Sequence, residues 1–398
     1  MGECDLRVAG FKFGAVKAGI RGKDRLDLGL ICADRPASAA GVFTTNQVKA
    51  APVLLDQERI KSGRAQAILV NSGIANACTG AQGLALARLA AGKAASALGI
   101  DEELVQVSST GVIGQQLDPA CFEHIPRLAA GLSPELGMEV ARAIMTTDTV
   151  PKTARRTVAI GGATVTLAGM AKGSGMIQPN MATMLAYILT DATVAPALLR
   201  EMLGKSVSQS FNRITVDGDT STNDTVLLLA SGQAGNPEIS DPASPEAAQL
   251  QAALDDLTRD LALQIVADGE GATKLATIQV EGAQSQAEAE QAARTVANSP
   301  LVKTAFFGQD ANWGRIIAAL GRSGVEFEQD KVDIAFDQAA IVKGGLWLGP
   351  AAEAAATKVL GKKSFTVYIN LWQGSAACAI HTCDLSLDYV KINADYRS

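Results

Sequence analysis

Histidine is nearly missing from this sequence. Its 398 residues include two, His124 in "CFEHIPRLAA" and His381 in "CAIHTCDLS". The first reads as an ordinary helical surface, the second as a position near a strand end. A hydroxyl nucleophile most often takes its base from histidine, so a hydroxyl nucleophile here needs another base. The six cysteines, Cys4, Cys32, Cys78, Cys121, Cys378 and Cys383, are scattered, and none stands in a C-x-x-C pair. That pattern fits a reducing cytoplasm better than a disulfide framework. It also argues against structural zinc, and no metal site is expected. No apolar run reaches the ~18 residues that span a bilayer. The start, "MGECDLRVAGFKFGAVKAGIRGKDR", lacks the apolar core of a signal peptide. With a net charge of −6 and no long basic cluster, nucleic acid and membranes are disfavoured as partners. A small charged or zwitterionic substrate fits.

What is present points to a globular protein. Hydrophobic residues make up 47%, enough for a large core over more than one domain. "QAILVN" (66–71) reads as a strand, and "GLALARLAAGKAASALG" as a helix stopped by Gly99. "SPELGMEVARAIMTTDT" reads as a helix capped by Ser133. "RRTVAIGGATVTLAGMAKG" alternates and turns at Gly161-Gly162, the pattern of a β-hairpin. "APALLREMLGKSVSQSFNRI" and "AAQLQAALDDLTRDLALQIVADG" read as helices, "DTVLLLASG" as a buried strand. From about residue 280 the character shifts to an Ala/Glu/Gln-rich helix, two hairpin-like segments and a polar tail. The expected organisation is a main domain over about 1–280 and a smaller C-terminal α+β domain over about 281–398. Hairpins mixed with helices predict a layered α+β sandwich rather than a doubly wound parallel sheet.

The stretch "SGMIQPNMATMLAYILTDA" (174–192) sets Thr183 between irregular chain and a short buried strand. A threonine there is ordinarily structural, because β-branched residues pack well at strand starts. Upstream, "SSTGVIG" (108–114) puts Thr110 and Gly111 after a strand. Its bland reading is a tight turn. Its functional reading is an oxyanion hole, with the Thr110 hydroxyl and the Gly111 N–H as two donors. The missing base has one economical solution. If the Thr183 hydroxyl attacked the carbonyl of the small Ala182 and the chain were cut there, residue 183 would gain a free α-amino group. Such an amine titrates at about 7.7–8.0 and can serve as base without histidine.

Other motifs fail on spacing. "DGEGATK" (268–274) does not match the phosphate-loop pattern, so no nucleotide cofactor is implied. Its Glu270 and Lys274 are either a solvated helix start or, for Glu270, a contact to a substrate ammonium. "VDGDTSTND" (216–224) has the composition of a calcium loop without its register, and reads as a hydrogen-bonded Asx/ST loop.

Taken together, "KGSGMIQPNMATMLAYILTDA", "SSTGVIG", "DGDTSTNDT", "DGEGATK" and the ending "DYVKINADYRS" resemble the glutamate N-acetyltransferase (ornithine acetyltransferase) family of arginine biosynthesis. The resemblance covers essentially the whole chain. It implies an αββα sandwich shared with self-cleaving aminopeptidases of the DmpA type. It implies cleavage between Ala182 and Thr183 into an α chain (1–182) and a β chain (183–398), assembled as α2β2. Thr183 would carry the acetyl group, and Thr110 and Gly111 would form the oxyanion hole. Thr146 (with Thr147 as rival), Lys172, Thr183, Glu270, Asn393 and Ser398 would contact substrate. The implied activity is ping-pong transfer of acetyl from N2-acetyl-L-ornithine to L-glutamate, without a bound cofactor. Family members differ in whether they also accept acetyl-CoA, and no motif here decides that. One departure is visible: the family's "NSGNANACTG" is "NSGIANACTG" in this chain, with Ile74 in place of a polar residue. Two rivals stand beside this reading. A hydrolase on the same fold would pass the acyl group to water, and a non-enzymatic small-molecule binder would leave the chain uncut.

Overall fold

The computed structural model describes residues 4–22, 24–178 and 184–395. Thr183, Ala182 and Ser398 lie outside the described residues. The chain forms two compact units. The first comprises the chain up to Asn212 together with Asp219–Ile265, and the second comprises Arg213–Gly218 and the chain from Val266. Among the described residues, no helix is long and apolar enough to cross a membrane.

The first unit is built on strands β1 (Phe11–Val16), β2 (Leu28–Phe43), β3 (Arg64–Ile74), β4 (Val105–Val112), β5 (Lys152–Ile160), β6 (Ala163–Lys172) and β7 (Leu185–Thr190). The short β8 (Ile214–Thr215) belongs to the second unit, and β9 (Thr225–Ala230) returns to the first. The first unit's strands order as β4-β3-β2-β9-β7-β6-β5, with β1 paired to β2. β3 and β4 are parallel, as are β7 and β9, while the other pairs are antiparallel. The central strands "LAYILT" and "TVLLLA" are buried at every residue, as strands covered on both faces must be.

Period-two alternation sorts the side chains to the two faces. One face carries Leu30, Leu69 and Val107, packed against the helices Ala51–Arg59, Gly80–Leu98 and Ile125–Ala130. The other carries Ile68, Met170, Leu185, Tyr187 and Leu227, with Val140 and Ala141 of the helix Gly137–Ala143 packed on it. Turn chemistry is as the composition predicts. Gly99 ends its helix at φ 68°, and Gly161-Gly162, both at positive φ, close the β5–β6 hairpin.

The sheet is far from flat. β4 and β6 are five places apart in it, about 24 Å at the usual strand spacing of about 4.8 Å. Even so, Lys172 Nζ, at the end of β6, lies 3.5 Å from Thr110 Oγ1, near the end of β4. Twist and coiling therefore fold the sheet round its Tyr187 face and bring those strand ends together.

The second unit carries β10 (Leu275–Ala283), β11 (Asp333–Phe336), β12 (Ala339–Lys343), β13 (Leu346–Trp347), β14 (Ser364–Asn370) and β15 (Ala376–Cys383), ordered β13-β12-β11-β14-β10-β15-β8. Ile278, Phe336, Val367 and Ile380 face a layer of helices through Ala292, Val296, Phe306 and Leu360. Alanine on the sheet-facing side lets the helix Gln286–Ala297 lie close to the strands. Both sheets are mixed, which makes the protein α+β as the sequence implies.

Two local expectations are corrected. Ser133 caps a 3-10 turn, Pro134–Leu136, and the α-helix that follows stops at Ala143. The chain leaves the helix because the Asp148 carboxylate takes the N–H of Thr146. Thr110 and Gly111 lie inside β4, not after it. Beyond residue 280, where hairpin-like segments are expected, β11–β12 and β12–β13 are antiparallel neighbours, and β14 and β15 each pair with the intervening β10.

Candidate active site

The curl of the first sheet gathers four of the residues singled out in the sequence. Thr110 and Lys172 are both buried, and their polar ends are 3.5 Å apart. Gly111 follows at φ 132°, in register with Gly73 of β3. A Cβ at Gly111 would stand 2.2 Å from the Gly73 carbonyl carbon, so only glycine allows the two backbones this approach. Thr146 lies just beyond the helix packed on the same face. Its N–H donates to Asp148 Oδ2 at 2.8 Å, and its carbonyl accepts from Arg21 Nη2 at 2.8 Å. The neighbouring Thr147 shares a 2.6 Å hydroxyl–hydroxyl bond with Ser174.

Asp148 is the hub of this cluster. Its side chain is fully buried. Oδ1 accepts from Lys152 Nζ and, at 2.7 Å, from the Gly173 N–H, while Oδ2 lies 4.0 Å from Lys172 Nζ. Burial alone would raise its pKa, but Lys172, Lys152 and the Thr146 N–H outweigh burial and hold the carboxyl well below the usual range. A second buried carboxyl behaves in the opposite way. Asp224 precedes β9 and accepts the Met184 N–H on Oδ1 at 2.9 Å. Its Oδ2 has no hydrogen-bond partner among the described residues. Burial pushes this carboxyl well above the ordinary value, against the Met184 N–H and Lys172. Two buried carboxyls near one lysine thus have their pKa values pushed in opposite directions.

Met184 is the first described residue after Thr183, and it is clamped at both ends of its backbone. Asp224 holds its N–H, and its carbonyl accepts the Thr225 N–H at 3.1 Å. Asn223 braces the opposite wall. Its amide donates to the Ala75 carbonyl at 2.6 Å and the Ser109 carbonyl at 2.8 Å. The second bond fixes the peptide plane that leads into Thr110. Ile74 packs its side chain into the apolar layer on the other face of the sheet, and its carbonyl accepts from Asn71.

In the second unit, Glu270 and Asn393 are joined directly. Asn393 Nδ2, on the helix Leu387–Asp395, donates to Glu270 Oε2 at 2.8 Å. The loop carrying Glu270 is pinned by Asp384, which accepts the N–H groups of Thr273 and Lys274, and by Ser386, which donates to the Gly271 carbonyl. His381 bonds Thr277 across β10–β15 and His124 ends a short 3-10 helix.

Sequence reasoning missed Asp148, Lys152, Asn223 and Asp224. The available signals were the i,i+4 spacing of Asp148 and Lys152, and the run "STND" set directly against a wholly apolar strand. A polar side chain at the mouth of such a strand has to find a partner.

The charge state of Asp148 makes a stability prediction. A depressed carboxyl contributes stability above its ordinary pKa of about 3.8, and that contribution fades as pH falls below it. Asp148→Asn should therefore cost most at neutral pH, and progressively less below about pH 4, in urea unfolding over a pH series. A deficit independent of pH would contradict the assignment.

Comparison with known proteins places this architecture. A model of the ArgJ family matches residues 12–398. The arginine biosynthesis bifunctional protein ArgJ of Desulfotalea psychrophila is 55% identical over 394 residues, covering 99% of this chain and 100% of the relative. Its namesake in Geobacter sulfurreducens is 53% identical over the same length. The crystal structure of the Bacillus halodurans protein of that name is 43% identical, with a TM-score of 0.51. The match covers 53% of this chain and 98% of that one. The chain belongs to the ArgJ family.

Proposed function

We propose that the protein moves the acetyl group of N2-acetyl-L-ornithine to L-glutamate, and that it works as two chains produced by its own cleavage before Thr183. The observation that carries this reading is the meeting of Thr110, Gly111 and Lys172 at the strand ends beside Met184, in a chain of the ArgJ family. The Bacillus halodurans structure supports the cut, since almost all of that solved chain corresponds to about half of this one.

Cleavage begins when Thr183 Oγ attacks the Ala182 carbonyl carbon. The peptide C–N bond breaks, the nitrogen takes the hydroxyl proton, and water then hydrolyses the resulting ester. The products are a carboxylate on Ala182 and an α-amine on Thr183. In the first transfer step, that amine takes the Thr183 hydroxyl proton as the oxygen attacks the acetyl carbonyl of N-acetylornithine. The bond from the acetyl carbon to the α-nitrogen of ornithine then breaks, that nitrogen leaves as the amine with the proton, and the acetyl group stays as an ester on Thr183. The glutamate amine then attacks the ester, and the threonine oxygen recovers its proton. In both tetrahedral intermediates the oxyanion is held by the Thr110 hydroxyl and the Gly111 N–H. Lys172 and Thr146 bind the substrate carboxylate end. Glu270 with Asn393, and Ser398 at the terminus, bind the ammonium end.

The name of the relatives, a bifunctional protein, supports acetyl-CoA as a second donor to glutamate, to be read in an assay with each donor separately. The assembly proposed is α2β2, in the cytoplasm.

The purified protein should run as two chains on a denaturing gel, the second beginning at Thr183 by amino-terminal sequencing, and Thr183→Ala should remain a single chain. A native cut elsewhere, or a cut Thr183→Ala protein, would contradict the reading. Thr110→Ala should lower kcat by roughly 10²–10³ with little change in KM. A folded variant with parental kcat would return "SSTGVIG" to an ordinary strand end.

A further inference from the structure

Asn223 is buried, and its side-chain amide is bonded at both ends. Nδ2 donates to the Ala75 carbonyl at 2.6 Å and to the Ser109 carbonyl at 2.8 Å, while Oδ1 accepts the Thr222 hydroxyl at 2.6 Å. A flipped amide would set its oxygen against two carbonyls, so one orientation alone satisfies the network. The turn that carries Asn223 is itself tied down. The Thr222 carbonyl accepts the Ala50 N–H at 2.9 Å, and the Asp224 carbonyl accepts the Thr44 N–H at 3.0 Å. The two carbonyls held by Asn223 lie at special places. That of Ser109 shares a rigid peptide plane with the Thr110 nitrogen. Ala75 donates its own N–H to the Val112 carbonyl at 2.9 Å, and Val112 directly follows Gly111. One amide therefore secures the chain on both sides of the Thr110–Gly111 pair, directly before it and through Ala75 after it. The β3–β4 ladder alone holds this point less firmly, because its register shifts at Gly73 and Ile74.

We propose that Asn223 is a positioning residue for acetyl transfer: its amide fixes the Thr110–Gly111 segment so that the Thr110 hydroxyl and the Gly111 N–H meet the oxyanion. This rests on the assignment of Thr110 and Gly111 as oxyanion donors, and deepens it by naming what holds them. The role calls for two donors on one short, flat group. Aspartate has the same shape, but its carboxylate only accepts hydrogen bonds and would face two carbonyls.

The test is a double-mutant cycle on the cut enzyme, with N-acetylornithine and glutamate as substrates and rates counted per molecule of cut chain. Asn223→Asp should lower kcat about 10²-fold, the scale of a roughly 1 Å misplacement of catalytic groups. KM for N-acetylornithine should stay within about twofold of the parent's, because the interaction lost is one made in the transition state. In a Thr110→Ala background the same substitution should cost about tenfold or less, since one of the donors it places is already gone. A residue that only supports the fold would cost the same factor in both backgrounds. If Asn223→Asp does not fold or stays uncut, Asn223→Ser replaces it. Serine admits water to the two carbonyls but loses the fixed amide, and should lower kcat about tenfold with the same split between kcat and KM. Parental kcat in the folded, cut variant, a loss that falls on KM instead of kcat, or an equal loss in both backgrounds would overturn the proposal. Parental kcat in Thr110→Ala would instead overturn the oxyanion-hole assignment on which it rests. A parent protein that is cut but transfers no acetyl would overturn the functional reading.

Discussion

The buried carboxylate of Asp148 is the interaction on which the first unit's site depends. It ends the helix Gly137–Ala143 by taking the Thr146 N–H, and it takes the Gly173 N–H where β6 gives way to loop. It also binds Lys152 and faces Lys172. One side chain thereby fixes two turns that are far apart in sequence. Removing a partner from such a pair leaves an uncompensated buried charge, which is why breaking it is costly even where the intact pair adds little net stability. The same electrostatics keep Lys172 close to Thr110 in a place that excludes water, where a fixed charge acts more strongly than it would in solvent.

That arrangement needs the curl of the sheet. Thr110 on β4 and Lys172 on β6 meet because the sheet bends round a face lined by Ile68, Met170 and Tyr187. The glycine pair Gly73 and Gly111 lets β3 and β4 close together at the proposed oxyanion site. Asn223 then locks both strand ends to the turn before β9. Donors fixed in this way would stand in place before charge develops, as the proposed oxyanion hole requires. In the second unit, the bond between Asn393 and Glu270 gives the C-terminal helix a chemical reason to be ordered, where a polar terminus would otherwise fray.

Much of this was legible in the sequence, and the limits have physical causes. The β5–β6 hairpin, the helix stopped at Gly99 and the wholly apolar strands β7 and β9 follow from periodicity and turn residues, which are local properties. The scarcity of histidine turned attention to a hydroxyl with an amine base, and the motif order carried the family. Asp148, Lys152 and Asp224 were not found, because an aspartate or lysine in a polar stretch looks the same whether it ends in water or in a core. Only the fold decides which, and the curl that buries these residues is a property of the whole sheet. The helix expected to run through "IMTTDT" stops early for the same reason: the side chain of Asp148 competes for the backbone N–H that a longer helix would have used.

The central claim is that Thr183, once exposed as an amino-terminal residue, carries the acetyl group. It is tested most directly by incubating the cut enzyme with N-acetylornithine in the absence of glutamate, quenching in acid, and weighing both chains by intact mass spectrometry. The account predicts one added acetyl group on the chain that begins at Thr183, and its loss when glutamate is supplied before the quench. Turnover with neither chain acetylated, or with the acetyl group on the chain that ends at Ala182, would contradict it.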